Sequence, residues 1–388
     1  MKSANSSPLL YNSHLIKFDA MDIRKILLFC SFANMLFLNS CTKEKGQGEA
    51  SFVWNCTEIS PDSFDIASLH QDYALIPLQL TNSSTVGMID KVAFSDSIVF
   101  VLDCRTATGL FAFNAKNGTF IKRIGDIGNG HGEYRELHDF SIDEKRKCIY
   151  VLCERNRIQQ YSFSGEYQKE LPLPFLVTNM EYSHDRFYFV NDYPKENNLY
   201  VTDMDFNIIA EHFPNKDYGE NYVTLLSPFQ KTENGVLYRR HLDNHIYNVN
   251  TQGEVSVLYE FDFGRKAIDF KDIKEWSPSQ LEKIEAESVC DVKYFIDGKD
   301  YAMILFYDEN RPHIGIYDKE TKDVKAYDYA KMKNKRLNIK FPLPKYNNLN
   351  ENVFSILYYK DIETLVEQGF LDKETYSKDS NPILCVYP

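Results

Sequence analysis

The sequence predicts an all-β fold, a six-bladed β-propeller with four-stranded antiparallel blades. Three observations lead there. Six strongly apolar strands recur along the chain: "SIVFVLD" (97–103), "CIYVLC" (148–153), "RFYFVN" (186–191), "GVLYRR" (235–240), "AMILFY" (302–307) and "FSILYY" (354–359). Each is rich in β-branched and aromatic residues and has strand length. Most are followed by a polar loop and then a hairpin turning through Asn, Asp, Ser or Gly, as in "GLFAFNAKNGTF" and "HIYNVNTQGEVS". An early strand, "YALIPLQL" (73–80), and a final one, "NPILCVYP", lack local partners and suit closure of one blade from both chain ends.

The elements follow in order. The repeat spans about 40–50 residues, the period of propeller blades. Outer strands such as "FIKRIG", "KELPL" and "VSVLYEF" complete the units. Residues 265–288 read as a helical insertion, and "DIETLVEQG" (361–369) as a second helix inside the last blade. Two stacked sandwiches, the competing all-β arrangement, would not produce this periodicity.

Ahead of the strands lies a different kind of segment. Residues 1–20 form a polar extension, and Met21 reads as the true start. Residues 21–40 read as a lipoprotein signal: Arg24 and Lys25, then an apolar run from Ile26 to Leu38 too short to span a bilayer stably. Leu38-Asn39-Ser40-Cys41 is similar to a bacterial lipobox, which makes Cys41 the lipid attachment site. Residues 41–70 read as a tether and 71–388 as the propeller. The expected address is the cell envelope, anchored in the outer membrane through the lipid, facing the periplasm or the outside.

Composition narrows the function classes. The 388 residues carry a formal charge of −12, which argues against nucleic acid as a partner. The eight cysteines include no CxxC, so no zinc site is expected, and no cofactor is implied. No GxSxG elbow and no catalytic cysteine motif occur, so no catalytic residue is assigned.

The stretch "IGDIGNGHGEYRELHDFSID" (124–143) and the "LIPLQL…VFVLD" opening together resemble the six-bladed β-propeller lipoproteins of Bacteroidetes, a family related in fold to NHL-repeat and TolB-like propellers. Gly125, Gly128, Gly130, Gly132, Glu133 and Tyr134 match that family's signature, while His131 replaces its usual proline. The resemblance implies an exported lipoprotein and brings no settled activity.

The glycine stretch admits three readings. As a phosphate cradle it lacks the spacing and a following helix. As a metal site it offers His131, Glu133, His138 and Asp139. As an inter-blade loop it uses glycine for positive φ, Glu133 for exposed amides and Tyr134 for packing. Asp203, Asp205 and Asn207 begin like a calcium loop but suit a hairpin turn better, because no Gly follows at the sixth position. His241, Asp243 and His245 alternate, as a surface loop or an acid–base pair would.

Loops after the second strands carry Arg105, Arg155, Asp192, Arg239, Arg240 and Asp308, which strand topology places on one face. They define either a solvated rim or a ligand-binding ring at the channel mouth. The favoured expectation is a binding or interaction module for a glycan, peptide or partner protein. A lyase or hydrolase at the channel mouth and a structural envelope subunit are the alternatives.

Overall fold

The computed structural model describes residues 50–70, 72–193, 196–215, 227–267, 283–284, 286–289, 292–346, 348, 353–377 and 379–387. Met21, the signal segment and Cys41 lie outside these residues, as do Cys290 and most of 265–288.

Five successive antiparallel sheets follow the predicted pattern. Blade 1 comprises Lys91–Phe94, Ile98–Asp103, Gly109–Asn114 and Phe120–Ile124. Blade 2 comprises Asp139–Asp143, Cys148–Cys153, Arg157–Ser162 and Tyr167–Pro172. Blade 3 comprises Asn179–Ser183, Arg186–Val190, Asn197–Thr202 and Ile208–Pro214. Blade 4 comprises Phe229–Thr232, Gly235–Arg239, His245–Asn250 and Val255–Asp262. Blade 5 comprises Val292–Asp297, Tyr301–Asp308, Arg311–Asp318 and Val324–Asp328. First strands such as Asp139–Asp143 are buried throughout, whereas the outermost strand of blade 2 is largely exposed. A first strand pairs along one edge and turns the other to the closed axis, whereas the outermost strand of blade 2 has its free edge at the surface.

The blade count departs from the expectation. The described residues form seven blades, not six. The additional one, blade 6, is a small three-stranded sheet of Met332–Asn334, Ile339–Lys340 and Phe64–Asp65. Its strands are two or three residues long, below the length at which side-chain alternation registers in a sequence. Blades 4 and 5 also have five strands rather than four, because Phe52–Asn55 and Ile59–Ser60 add in parallel to their outer strands. Residues 52–65 therefore belong to the folded domain rather than to a free tether: they run along the edges of three consecutive sheets. Trp54 in this strap is fully buried against Tyr259, Phe261 and Tyr317.

Blade 7 joins the chain ends as anticipated. Pro344–Tyr346, Val353–Leu357 and Ile383–Tyr387 are followed by Ala74–Pro77, with Leu384 opposite Ile76 and Cys385 opposite Leu75. Leu78, the next apolar residue of this segment, donates its amide to Pro382 O at 3.3 Å. The helix Tyr359–Glu367 sits between the second and third strands of blade 7 and buries Ile362 and Leu365.

The core is a series of apolar wedges between neighbouring sheets. One joins blades 1 and 2 through Phe100, Leu110, Phe140 and Val151. Another joins blades 7 and 1 through Ile76, Leu384, Phe354, Val99 and Phe113, which completes the circle. Blade 6 is held in the wedge shared with blades 5 and 7, through Met332, Ile339 and Phe341.

Candidate functional site

The first strands of blades 1 to 5 and of blade 7 bring polar side chains to a common axial cavity of about 80 Å³. Its wall includes Asp90, Lys91, Glu181, Lys231, Tyr294 and Lys345. On an ordinary sheet these would be isolated polar residues in buried strands. Closure of the ring sets them against one another.

Lys91, Glu181 and Lys231 of this wall form a paired quartet with Asp139. Lys91 Nζ lies 2.9 Å from Asp139 Oδ1 and 3.0 Å from Glu181 Oε2. Lys231 Nζ is 3.4 Å from Glu181 Oε1 and donates to Ile142 O at 2.8 Å. Ser141 Oγ donates to Glu181 Oε1, and Met180 N donates to Asp139 Oδ2 at 2.9 Å. Burial opposes the charge on Lys91, but Asp139 and Glu181 outweigh it and hold the ammonium well above its ordinary range. Burial likewise opposes ionisation of Glu181, and Lys91 and Lys231 overcome it, so its carboxyl sits below the usual range. Charges this deep persist only when paired.

Lys345 differs from the quartet. Its ammonium stands 5.3 Å from the centroid of the Tyr294 ring, and no described carboxylate lies within ion-pair distance. Burial lowers its pKa, Asp90 partly restores it, and Arg105 lowers it further. Tyr294 Oη has no hydrogen-bond partner among the described residues, and burial pushes its pKa well up. An amine and a hydroxyl with unused donors thus share one small cavity.

The residues expected to form the binding ring are differently committed. Arg105 is half-exposed and clamps Asp90, with Nε 2.6 Å from Oδ1, which places it beside the cavity. Arg155 pairs with Asp192 and ties blade 2 to blade 3. Arg239 is buried and donates to Val292 O at 2.8 Å. Arg240 is also buried, with its guanidinium 5.0 Å over the Phe213 ring. Asp308 accepts from Lys266 Nζ at 2.8 Å. Of this set, Arg105 is the one that electrostatics couples to the axial lysine. The axial residues were missed because they lie in first strands, where "KVAF", "NMEYS", "FQKT" and "VKYFID" each break an apolar pattern with Lys, Glu or Tyr. That interruption is the signal that could have found them.

The glycine stretch links blade 1 to blade 2 and contains a short parallel ribbon, Asp126–Ile127 with Glu133–Tyr134. Glu133 Oε2 accepts from Gly130 N at 2.7 Å, fully buried Tyr134 donates to Ile124 O, and Tyr161 donates to Gly132 O. Gly125 and Gly132 have φ of +66° and +73°. The four possible metal ligands do not converge: Glu133 serves Gly130, His138 lies 3.4 Å from Glu136, and Asp139 belongs to the axial quartet. Asp203 accepts from Asp205 N and Asn207 N, both at 2.9 Å, as a hairpin turn requires. Asp243 accepts from Tyr247 Oη at 2.8 Å and contacts His245 Nδ1 at 2.6 Å, which uses its carboxylate locally.

A family model described as a domain of unknown function, DUF4934, matches residues 51–388. No curated protein matches the chain. Among solved structures, an inferred exported protein of Bacteroides fragilis is 19% identical, with a TM-score of 0.73, over 86% of this chain and 99% of that one. A DUF4221 member from Bacteroides vulgatus is 9% identical with a TM-score of 0.47, over 82% of this chain and 97% of that one. The first likeness supports the propeller fold; the second is too distant to add to it.

Proposed function

The chain belongs to the DUF4934 family, and from that premise we propose that it is an exported, lipid-anchored binding module. Its axial cavity receives an anionic or strongly polar terminal group of a glycan, peptide or envelope protein. The observation that carries this reading is the contrast between Lys345 and the paired quartet. Among the described residues, Lys91 and Lys231 are matched by carboxylates, while Lys345 and Tyr294 have donors without a partner. A volume of about 80 Å³ holds a carboxylate or phosphate head and a water or two, not a whole ligand. The rest of a larger partner would lie across the loop face, where Arg105 flanks the opening. Export is supported by the charged and apolar segments before Cys41 and by the exported relative from Bacteroides fragilis.

The test uses lysines reductively methylated with ¹³C and followed by NMR during titration with acetate and with inorganic phosphate. The Lys345 resonance is expected to shift and saturate, and to be absent in Lys345→Met. A Lys345 signal that moves no more than those of exposed lysines overturns the axial site. Metabolic labelling with palmitate in a bacterial host tests the anchor. Label retained by Cys41→Ala would refute it.

A further inference from the structure

A second cavity lies away from the axis, where blade 5 meets blade 6. It measures about 500 Å³, within the range of small-molecule sites and far larger than the axial one. Arg311, Asp328, Tyr329, Met332, Lys340 and Phe341 contribute to its wall. Blade 6 creates it: without that small sheet the rim of blade 5 would face solvent.

Its chemistry is distinctive. Arg311 and Lys340 are both exposed, and neither has an ion-pair partner among the described residues. Asp328 supplies one carboxylate, and its Oδ1 already accepts from Ala330 N at 2.8 Å, leaving the second oxygen for other donors. Asp361, on the neighbouring helix, feels Lys340 electrostatically, but its Oδ2 faces Tyr358 N at 3.3 Å and caps that helix. Asp308 is engaged by Lys266. The walls are aromatic: Tyr329 and Phe341 meet edge to face at 6.1 Å, and Tyr329 Oη donates to Phe341 O at 2.9 Å, which fixes the ring.

We propose that this cavity is a binding site for an acidic saccharide, with a uronate carboxylate on Arg311 and Lys340, hydroxyls on Asp328, and a sugar face against the aromatic wall. Two cations and one carboxylate leave one net positive charge, which favours one uronate carboxylate of the saccharide at this position. A guanidinium offers the planar fork that a carboxylate fits. A carboxylate that accepts hydroxyl protons beside aromatic carbon suits a polyol that is apolar on its faces. The site is separate from the axial cavity, so either can fail without the other.

Isothermal titration with digalacturonate, and with maltose as the neutral control, tests the assignment on the folded domain. Saturable binding of digalacturonate is expected, with maltose much weaker. Arg311→Ala and Lys340→Ala are each expected to weaken binding about tenfold or more, as the loss of a charged hydrogen bond implies. Lys169→Ala, at an exposed lysine of the outermost strand of blade 2, is expected to leave it unchanged. Both rim substitutions are of exposed side chains, and equal melting temperatures will show that they fold. The proposal is overturned if digalacturonate does not bind, if Arg311→Ala binds it as tightly as the parent, or if maltose binds equally well.

Discussion

His70 Nε2 lies 2.9 Å from Tyr301 Oη, and its ring stacks on Tyr387 at 4.6 Å between centroids. One histidine thereby pins the N-terminal segment to blade 5 and to the third strand of blade 7. Burial lowers its pKa to about 4, with Asp300 partly opposing the shift. The folded state therefore prefers the neutral ring. Its contribution to stability is complete above the unfolded value of 6.5 and is lost as pH falls toward 4. Allowing for partial exposure, the loss is about 2 kcal/mol. Chemical denaturation from pH 7 to pH 4 measures it. His70→Gln should be the less stable protein at pH 7 and show a shallower decline. Parallel curves for the two proteins would contradict the assignment.

Removal of residues 1–80 should expose the Ile383–Tyr387 edge and the apolar wedge between blades 7 and 1. The expected outcome is aggregation or loss of a single cooperative melt. A chain starting at residue 71 keeps that closing strand but loses Trp54 and the parallel strap. It should fold with a melting transition well below the parent, since emptying a buried tryptophan site costs about 3–5 kcal/mol. If both truncations melt like the parent, the N-terminal segment does not close the domain.

Gly125 is required by both conformation and space. Its φ is +66°, and a Cβ there would lie 2.6 Å from the Tyr134 ring and 2.6 Å from Tyr161 Oη. Both neighbours are buried and hydrogen-bonded, so neither can yield. Gly125→Ala should cost about 2–4 kcal/mol. Gly128 differs: its Cβ would meet the Glu133 carboxylate at 2.0 Å, the end of a partly exposed flexible side chain. Gly128→Ala should cost only about 1 kcal/mol, through the weakened Glu133–Gly130 bond. The pair of melting measurements separates backbone strain from a displaceable contact.

What the sequence made legible follows from the range of each interaction. "CIYVLC" and "RFYFVN" announce buried strands because their neighbours in the sheet are also their neighbours in the chain. The pairing of Leu75 with Cys385 was readable because two strands were left over and a ring needs closing. Blade 6 was not readable: Met332 pairs with Phe64, and strands this short carry no pattern. Nor was the parallel addition of "FVWN", since no turn ties it to Val255–Asp262. The site shows the same division. Arg155 and Asp192 were both readable as charged loop residues, but not their pairing with each other across two blades. Lys91, Glu181, Lys231 and Lys345 converge only after the ring closes, so each appeared as an isolated polar residue in a strand.

The axial quartet yields the final prediction. Glu181 is shared by Lys91 and Lys231, so its charge holds both ammoniums. Glu181→Gln keeps the shape and an acceptor for Ser141 Oγ but removes the charge. Lys91 retains Asp139, whereas Lys231 keeps the Ile142 carbonyl and the face of the Tyr182 ring but no described carboxylate within ion-pair distance. An uncompensated buried cation of this kind costs about 3–5 kcal/mol. The double variant Glu181→Gln/Lys231→Met removes charge in equal measure and should recover much of that loss, because neutral replacement of a buried pair is often tolerated. The pH dependence carries an independent sign. The depressed carboxyl of Glu181 adds stability above its unfolded value, and that stability is lost as pH falls through the folded one. Glu181→Gln should therefore flatten the acid limb of the stability curve. Denaturation midpoints for the parent and the single and double variants at pH 7 and at pH 4 decide it. If the double variant is no more stable than Glu181→Gln alone, the charges are not coupled and the quartet is four separate contacts.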